Sequence, residues 1–489
     1  MRRAAIFGSF LWLLAGCGAG ASGRGASVAT SGATAQVAVG RTTVDPSQTD
    51  TGDAARRDVG RAGAWIGVAP ESDVLPSGAT TTSLGLWIDA PTGRAHAHVP
   101  MDVSLVIDTS GSMAGAKIQN ARRAAALLID DLADGDIVSV VSFSDDAQTL
   151  VSPTVLSAET RTSLKARIAR LEPTGSTNMF DGLGLGEALV ARAPATHAVR
   201  RVVVISDGIA NVGPSSPEAH GALAERGLRF QAQVTSLGVG TDYDERTLDA
   251  LAVRSTGRLY HLSEPREMAS LLSHELELLQ STVATNAFVE IVPAPGVRLL
   301  SVEGCQSERG MDGTLKLPLG ALFSGQHREA LVRIRIDDTS AAASASTRAL
   351  ASVRLHFDDP SDGDVPRIQE VVARAGFSDD AATVAKSENA KTKSIVAVLD
   401  ASKLELGASQ AAGAGDFAVA DKRLAQAETD LETRAARTTD AVEHERLVAV
   451  AHKVAKARAE VQAAPSAPAP ARRDITLKLN ASGMHDSGF

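Results

Sequence analysis

The sequence predicts a doubly wound α/β domain next to a β-sandwich, followed by a C-terminal α-helical segment. Three observations support this fold class. Short apolar strands alternate with helical patterns over residues 101–282, which is typical of a parallel sheet with helices on both faces. Over residues 283–378, several strand-like segments alternate apolar and polar residues. Residues 379–464 are rich in Ala, Lys, Glu and Leu and repeat with a helical period.

The α/β domain is predicted from the order of its strands and helices. Strands are expected at 101–107, 136–143, 201–206, 230–239 and 259–262. The first helix is marked by apolar residues on one face, namely Ile118, Ala121, Ala125, Leu128 and Leu132. The strand at 201–206 contains an uninterrupted Val-Val-Val-Ile run, which favours a position buried on both faces of a parallel sheet.

The β-sandwich is predicted from alternation within single strands. Val332, Ile334 and Ile336 point to one side of a strand and the intervening arginines to the other, as in a half-exposed antiparallel sheet. Residues 63–100 contain further strand patterns without partners of their own, so we expect them to join this sandwich.

The C-terminal part is predicted to contain helices and then a disordered tail. Residues 379–464 read as two or three antiparallel helices, with Asp416 as the N-cap that follows a glycine break. Residues 465–489 begin with a Pro/Ala spacer and are expected to be disordered.

The N-terminus predicts export and lipid attachment. Two arginines precede a short apolar segment that ends in Leu14-Ala15-Gly16-Cys17. This box resembles the signal of bacterial lipoproteins, which implies that residues 1–17 are a lipoprotein signal peptide with Cys17 as the lipidated residue. A plain secretory peptide with a chance cysteine is the alternative. We expect a protein anchored by lipid to a bacterial cell membrane, on its periplasmic or cell-surface face.

Composition indicates a linker and restricts the classes of partner, membrane segment and disulfide that the chain can have. Residues 18–62 are rich in Gly, Ala, Ser and Thr and are predicted to be a flexible linker. The chain carries 49 basic and 58 acidic residues, a net charge of −9, which argues against nucleic acid as a partner. No later apolar stretch is long enough to predict a membrane-spanning helix. Cys305 is the only cysteine besides Cys17, so a lipidated Cys17 leaves no intramolecular disulfide.

Polar residues follow the predicted strands at one edge of the sheet. In the segment LVIDTSGSMAG, Asp108 ends an apolar strand, and Ser110 and Ser112 follow at steps of two. Thr177 lies in a loop before a helix, and Asp207 ends the strand at 201–206. Ligands of open α/β sheets bind at the carboxyl ends of the strands, so we expect these five side chains to converge.

The donor set favours a hard divalent cation. Three hydroxyls and two carboxylates, with no His or Cys, argue against zinc and copper. Ca²⁺ usually takes more carboxylates, whereas Mg²⁺ keeps bound waters, so Mg²⁺ is the preferred ion, with Mn²⁺ or Ca²⁺ as alternatives. Asp108 and Ser110 could instead cap the following helix, or a metal could serve only as a structural plug.

The pattern Asp-x-Ser-x-Ser, then Thr in a Gly-x-Thr loop, then Asp-Gly at a strand end resembles the metal-ion-dependent adhesion site of von Willebrand factor type A domains. The resemblance covers about residues 98–282. It implies that Ser110, Ser112 and Thr177 bind the metal directly and that Asp108 and Asp207 act mostly through water. It also implies that a carboxylate of a partner protein completes the coordination.

Enzyme functions fit the sequence less well than a binding module does. Residues 111–117 lack the spacing of a phosphate-binding loop, and neither His-Glu pair has the second histidine of a zinc-protease helix. No Gly-x-Ser-x-Gly elbow is present. We therefore expect no enzyme. A channel or assembly accessory subunit and, with less support, a metal-dependent hydrolase stay open as alternatives.

Overall fold

The fold is described from a computed structural model, which describes residues 56–57, 65–92, 98–337 and 347–486. The predicted signal peptide with Cys17, and nearly all of the predicted linker 18–62, lie outside these residues.

Four short strands precede the α/β domain. They are β1 (Arg56–Arg57), β2 (Ile66–Pro70), β3 (Val74–Pro76) and β4 (Thr81–Asp89). The linker prediction is wrong for β1, which pairs in parallel with Arg367 and Ile368 at a sheet edge. Pairing at an edge uses main-chain groups, so composition gives no signal for it.

The α/β domain follows directly. Its strands are β5 (Met101–Asp108), β6 (Ile137–Phe143), β7 (Ala147–Val155), β8 (Val199–Ser206), β9 (Ala232–Val239) and β10 (Arg258–Leu262). Its helices are α1 (Ala116–Asp131), α2 (Ala158–Ile168), α3 (Met179–Val190), α4 (Pro217–Gly227), α5 (Glu245–Arg254) and α6 (Met268–Gln280). The sheet order is β10-β9-β8-β5-β6-β7, and all neighbours are parallel except β7. The predicted fold class is confirmed.

This strand order places β5 and β8 on the two sides of the switch point. The chain runs from β5 to β6 and β7 in one direction, and then returns to β8, β9 and β10 in the other. Apolar side chains of α1, α2 and α6 cover one face of the sheet, and those of α3, α4 and α5 cover the other. A ligand cleft is therefore expected at the carboxyl ends of β5 and β8.

The β-sandwich consists of two sheets. Its further strands are β11 (Thr282–Pro293), β12 (Val297–Glu303), β13 (Glu308–Arg309), β14 (Leu315–Phe323), β15 (His327–Ile336), β16 (Arg348–Asp359) and β17 (Val365–Ser378). One sheet has the order β1-β17-β16-β11-β14-β13, with β3 beside β17, and the other has the order β12-β15-β4-β2. Apolar residues of both sheets form one core, in which Trp65 stacks on Phe357 with ring centroids 4.6 Å apart. The strands before the α/β domain join the sandwich as predicted.

Five helices end the described chain. They are α7 (Ala381–Lys386), α8 (Ala390–Gly413), α9 (Phe417–Arg437), α10 (Ala441–Ala463) and α11 (Ala469–Asp486). Asp416 caps α9 as predicted, because its side chain accepts a hydrogen bond from the Val419 amide at 3.0 Å. Among the helices described, none is long and apolar enough to cross a membrane.

The prediction of disorder over 465–489 is wrong for α11. Leu477 and Leu479 of this helix are 1% and 3% exposed, respectively. Leu477 packs in a core of the α/β domain, whereas Leu479 packs in the core of the helical segment. The two apolar contacts face different domains, which hides the periodicity that identifies a helix with one buried face.

Candidate functional site

Asp108 lies buried at the carboxyl end of the central strand β5, with no exposed surface. One carboxylate oxygen accepts the Ser110 amide at 2.7 Å, and the other accepts the Ser206 hydroxyl at 2.6 Å. Ser206 ends the neighbouring strand β8. Both oxygens are therefore held in place by the two strands that flank the switch point.

Ser110, Ser112 and Asp207 form a continuous chain of polar contacts. The Ser110 and Ser112 hydroxyl oxygens are 3.0 Å apart, and Ser112 donates to Asp207 Oδ1 at 2.8 Å. The ammonium group of Lys117, on the first turn of α1, contacts the other oxygen of Asp207. Ser112 is exposed, whereas Asp207 is fully buried. These contacts therefore connect the buried Asp207 to the exposed Ser112 at the open edge of the site.

Thr177 is brought to the same edge by the loop before α3. Its carbonyl accepts the Asn211 amide at 3.1 Å, and its own amide donates to Asn211 Oδ1 at 2.8 Å. A Cβ atom built on Gly208 would lie 3.2 Å from the Thr177 hydroxyl and 3.6 Å from the Ser112 hydroxyl. The two hydroxyls therefore converge over Gly208, where any side chain would crowd them.

Gly175 is needed in the same loop for close packing. Its φ is +73°, and a Cβ atom there would lie 2.3 Å from Asp145 Oδ2. Asp145 Oδ1 accepts the Ser176 amide at 3.0 Å, and Gly175 accepts the Gly111 amide at 3.1 Å. These contacts fasten the loop that carries Thr177 to the segment that carries the two serines.

The electrostatics of the site favour a bound cation. Burial raises the pKa of Asp108 to about 6, hydrogen bonds from Ser206 and Ser110 lower it, and the nearby charge of Asp207 raises it. Two buried carboxylates close together repel each other, and Lys117 neutralises only one of them. A divalent cation would relieve this repulsion.

The donor chemistry fits Mg²⁺ better than a softer ion. In the parts of the chain that the structure describes, no three His, Cys, Asp or Glu side chains are grouped to hold a metal. The donors at this edge are mainly hydroxyl oxygens, with two carboxylates behind them. Hydroxyls and water-bridged carboxylates suit an ion that keeps several of its waters.

The helix-cap interpretation of Asp108 and Ser110 is wrong. Helix α1 has Gly115 at its N-cap, with no side-chain cap. Ser110 precedes a single 3₁₀ turn, Gly111–Met113, and its side chain does not cap that turn either. These polar groups are turned toward one another and toward Asp207.

Sequence reasoning identified the five converging residues but missed those that position them. Ser206 and Asn211 hold Asp108 and Thr177, respectively. A serine that ends an apolar strand one residue before Asp207 could have been noticed. The contact of Lys117 with Asp207 spans 90 residues of sequence, so no local pattern indicates it.

Comparison with known proteins identifies the α/β domain. The family model for the von Willebrand factor type A domain matches residues 103–209. The structure of a von Willebrand factor type A protein from Catenulispora acidiphila superposes with a TM-score of 0.68 at 17% identity, covering 86% of this chain and 96% of that one. This chain therefore contains a von Willebrand factor type A domain, as the resemblance predicted.

Two relatives by sequence match larger parts of the chain. Inter-alpha-trypsin inhibitor heavy chain H3 of Rattus norvegicus is 29% identical over 201 residues, which are 39% of this chain and 22% of the heavy chain. The uncharacterized protein sll0103 of Synechocystis sp. is 26% identical over 301 residues, which are 59% of this chain and 69% of that protein. Domains of this type are typically protein-interaction or adhesion modules.

Proposed function

We propose that this chain is an exported, membrane-anchored binding module that holds a divalent cation and recruits an acidic side chain of a partner protein. The observation that carries the proposal is the convergence of three hydroxyls and two buried carboxylates at the carboxyl ends of β5 and β8. We infer that the metal ligands are Asp108, Ser110, Ser112, Thr177 and Asp207. Mg²⁺ is the cation we propose, with Mn²⁺ and Ca²⁺ as the ions to compare.

The roles of the five residues follow from their burial. Ser110 and Thr177 are 2% and 3% exposed, and Ser112 is exposed at the rim. Asp108 and Asp207 lie deeper, so they supply charge, and the hydroxyls face the cation. A bound divalent cation would supply the positive charge that attracts a partner carboxylate, and this attraction is stronger in a partly desolvated cleft than in bulk water.

The open edge beside the site suits a protein partner. Gly111, Ser112 and Asn211 are exposed, and Ile209, next to Gly208, is 60% exposed. A protruding acidic side chain could reach the hydroxyls from this side. We propose no catalysis, because Asp108 already accepts two hydrogen bonds and Asp207 contacts both Ser112 and Lys117, which leaves neither carboxylate placed as a general base.

A capture experiment tests this function. Wild-type protein, Asp108→Ala and the control Asp146→Ala would be used to capture partners from solubilised envelope membranes, with Mg²⁺ or with chelator. Asp146 is an exposed carboxylate that follows β6 at the same edge of the sheet. We expect one or more partners to be captured by the wild type and the control in Mg²⁺, and to be lost with chelator or with Asp108→Ala. Capture that survives both changes would contradict the proposal.

A further inference from the structure

The C-terminal helix α11 lies between the α/β domain and the helical segment, with a different set of contacts on each side. Toward the helical segment, the Thr476 carbonyl accepts the Ser409 hydroxyl at 3.0 Å, and Ser482 donates to Glu405 at 2.7 Å. Leu479 is buried in the core formed by α8, α9 and α10. This side attaches α11 to the helical segment formed by α8, α9 and α10.

The other side of α11 binds the α/β domain with charged groups. Arg473 pairs with Glu245 at the start of α5 and donates to the carbonyls of Thr241 and Tyr243, both at 3.3 Å. Asp474 accepts hydrogen bonds from Ser263 at 2.5 Å and from His261 at 2.9 Å. The loop between β9 and α5 and the end of β10 are therefore both held by adjacent residues of one helix.

Two further residues on the same side complete the contact. Leu477 is 1% exposed and lies in the core that covers one face of the parallel sheet. Asn480 donates to Asp249 of α5 at 2.7 Å. Residues 473, 474, 477 and 480 follow the spacing of one helical face. The α/β domain thus presents a groove for a helix, and α11 occupies it.

The groove is linked to Asp207 through the loop that Arg473 holds. Gly240 follows β9 in the left-handed region, with φ +79°, and a Cβ atom there would lie 3.7 Å from Lys117 Cε. The side chain of Lys117 therefore passes directly beside Gly240 before its ammonium group contacts Asp207. Arg473 binds the carbonyl of Thr241, the next residue.

A second link leads from the groove to Asp108. The phenol oxygen of Tyr243 is 2.9 Å from His261 Nδ1, and the other ring nitrogen of His261 contacts Asp474. The Tyr243 ring covers Gly238, where a Cβ atom would lie 2.4 Å from it. Gly238 pairs across the sheet with Ser206, whose hydroxyl holds Asp108.

We propose that this groove is a regulatory helix-binding site whose occupancy by α11 lowers the affinity of the cation site. The inference rests on the proposed function. With α11 docked, the loop over 240–244 is held with Gly240 beside Lys117, whose ammonium group contacts Asp207. An ammonium group there neutralises a carboxylate that the cation needs, and it repels the cation itself. Release of α11 would loosen the loop, let Lys117 move into solvent, and raise the affinity.

His261, Ser263 and Asp474 do not form a hydrolytic triad. Ser263 and Asp474 both contact the same ring nitrogen, Nε2, at 3.2 and 2.9 Å. In a triad the acid and the nucleophile contact opposite nitrogens of the ring. The cluster is therefore better explained as part of the contact that docks α11.

The test compares two adjacent arginines of α11 in the full chain. Arg473→Ala removes the loop contacts, whereas Arg472→Ala changes a residue whose side chain makes no hydrogen bond or ion pair with the described residues of the α/β domain. Leu477→Asp is a second, stronger undocking variant. Mg²⁺ affinity would be measured by calorimetry, and docking would be measured separately by hydrogen exchange of residues 240–244 and of α11.

We expect Arg473→Ala to tighten Mg²⁺ binding by about fivefold or more, with Arg472→Ala unchanged. In a Lys117→Met background, Arg473→Ala should leave the Mg²⁺ affinity unchanged, because Lys117 is the residue through which the effect acts. Linkage also requires that Mg²⁺ reduce the exchange protection of α11 in the wild type.

The result that overturns the inference is an unchanged Mg²⁺ affinity in Leu477→Asp when hydrogen exchange shows that α11 has left the groove. Absence of Mg²⁺ binding in the wild type, in Lys117→Met and in both undocking variants would overturn the proposed function, and the inference with it. The exchange measurement distinguishes the two failures, because it reports docking without any cation.

Discussion

At the scale of single residues, the site depends on a serine that is not itself a proposed ligand. Ser206 donates to Asp108 across the two strands at the switch point, at 2.6 Å. A hydrogen bond to a charged group contributes about 1.5–3 kcal/mol. Ser206 thus keeps a buried carboxylate ionised and oriented where a cation needs it.

We predict that Ser206→Ala weakens Mg²⁺ binding by about tenfold or more, since Asp108 loses the bond that favours its charged form. The measurement is a calorimetric Mg²⁺ titration. Ser139→Ala is the matched control, because Ser139 is a buried serine of β6 whose hydroxyl has no hydrogen-bond partner among the described residues. Equal affinities of Ser206→Ala and the wild type would contradict this role.

Glu187 of α3 gives a prediction for pH. Burial raises its pKa to about 8, and the charge of Arg226 opposes the shift. Between about pH 4.5 and 8 the folded state therefore holds a proton that the unfolded state has lost. The contribution of neutral Glu187 to the free energy of unfolding is fully present below about pH 4.5 and is lost as the pH rises toward 8.

Glu187→Gln should remove part of this pH dependence, because the glutamine side chain is uncharged at every pH and has nearly the shape of a protonated glutamate. We expect the variant to melt at a higher temperature than the wild type at pH 8 and at nearly the same temperature at pH 4.5. Glu432→Gln, an exposed residue of α9, is the control and should give parallel curves. A variant that loses stability equally at both pH values would rule out this explanation.

At the scale of elements, glycines let α3 lie close to the sheet beneath the site. A Cβ atom on Gly186 would lie 2.5 Å from Val106 and 3.2 Å from Val202. A Cβ atom on Gly184 would have its nearest neighbour, Leu223, at 3.7 Å. Since α3 begins two residues after Thr177, its position helps to set that of the Thr177 loop.

We predict opposite effects for two neighbouring substitutions in α3. Gly186→Ala should destabilise the protein by about 1–3 kcal/mol, since the helix must move off the sheet. Gly184→Ala should be neutral or stabilising by up to about 1 kcal/mol, because alanine favours a helix and fits the space. Urea unfolding measures both. A loss of stability with Gly184→Ala as large as with Gly186→Ala would argue against close packing as the cause.

The elements that the sequence predicted are those with a clear run or period of apolar residues. Helix α1 has one apolar face, the parallel strands are apolar runs buried on both faces of the sheet, and the order of these elements sufficed to predict the cleft. Strand β7 was missed because most of it is exposed at the sheet edge and it contains Pro153. Helix α11 was missed because Leu477 and Leu479 are buried by different domains. Contacts such as Lys117 with Asp207 depend on the folded chain and have no local pattern.

At the scale of the whole molecule, the lipid anchor on Cys17 and the cation site would act together. Lipid on Cys17 would keep the domains near a membrane, where the partner is expected. We predict that Cys17→Ser abolishes stable membrane attachment, since the acyl chains would supply the binding energy. Mass spectrometry of the mature N-terminus and membrane fractionation check this. An unmodified Cys17, or cleavage elsewhere, would disprove the anchor.

The central claim is that Asp108, Ser110, Ser112, Thr177 and Asp207 hold a divalent cation, and its most direct test is thermal unfolding with and without Mg²⁺. A ligand that binds only the folded state stabilises it by about 2.7 kcal/mol at a concentration of roughly 100 times Kd. We predict that Mg²⁺ raises the Tm of the wild type relative to chelator, and that Ser110→Ala abolishes the shift without unfolding the sheet. Identical Tm values of the wild type in millimolar Mg²⁺ and in chelator would contradict the claim.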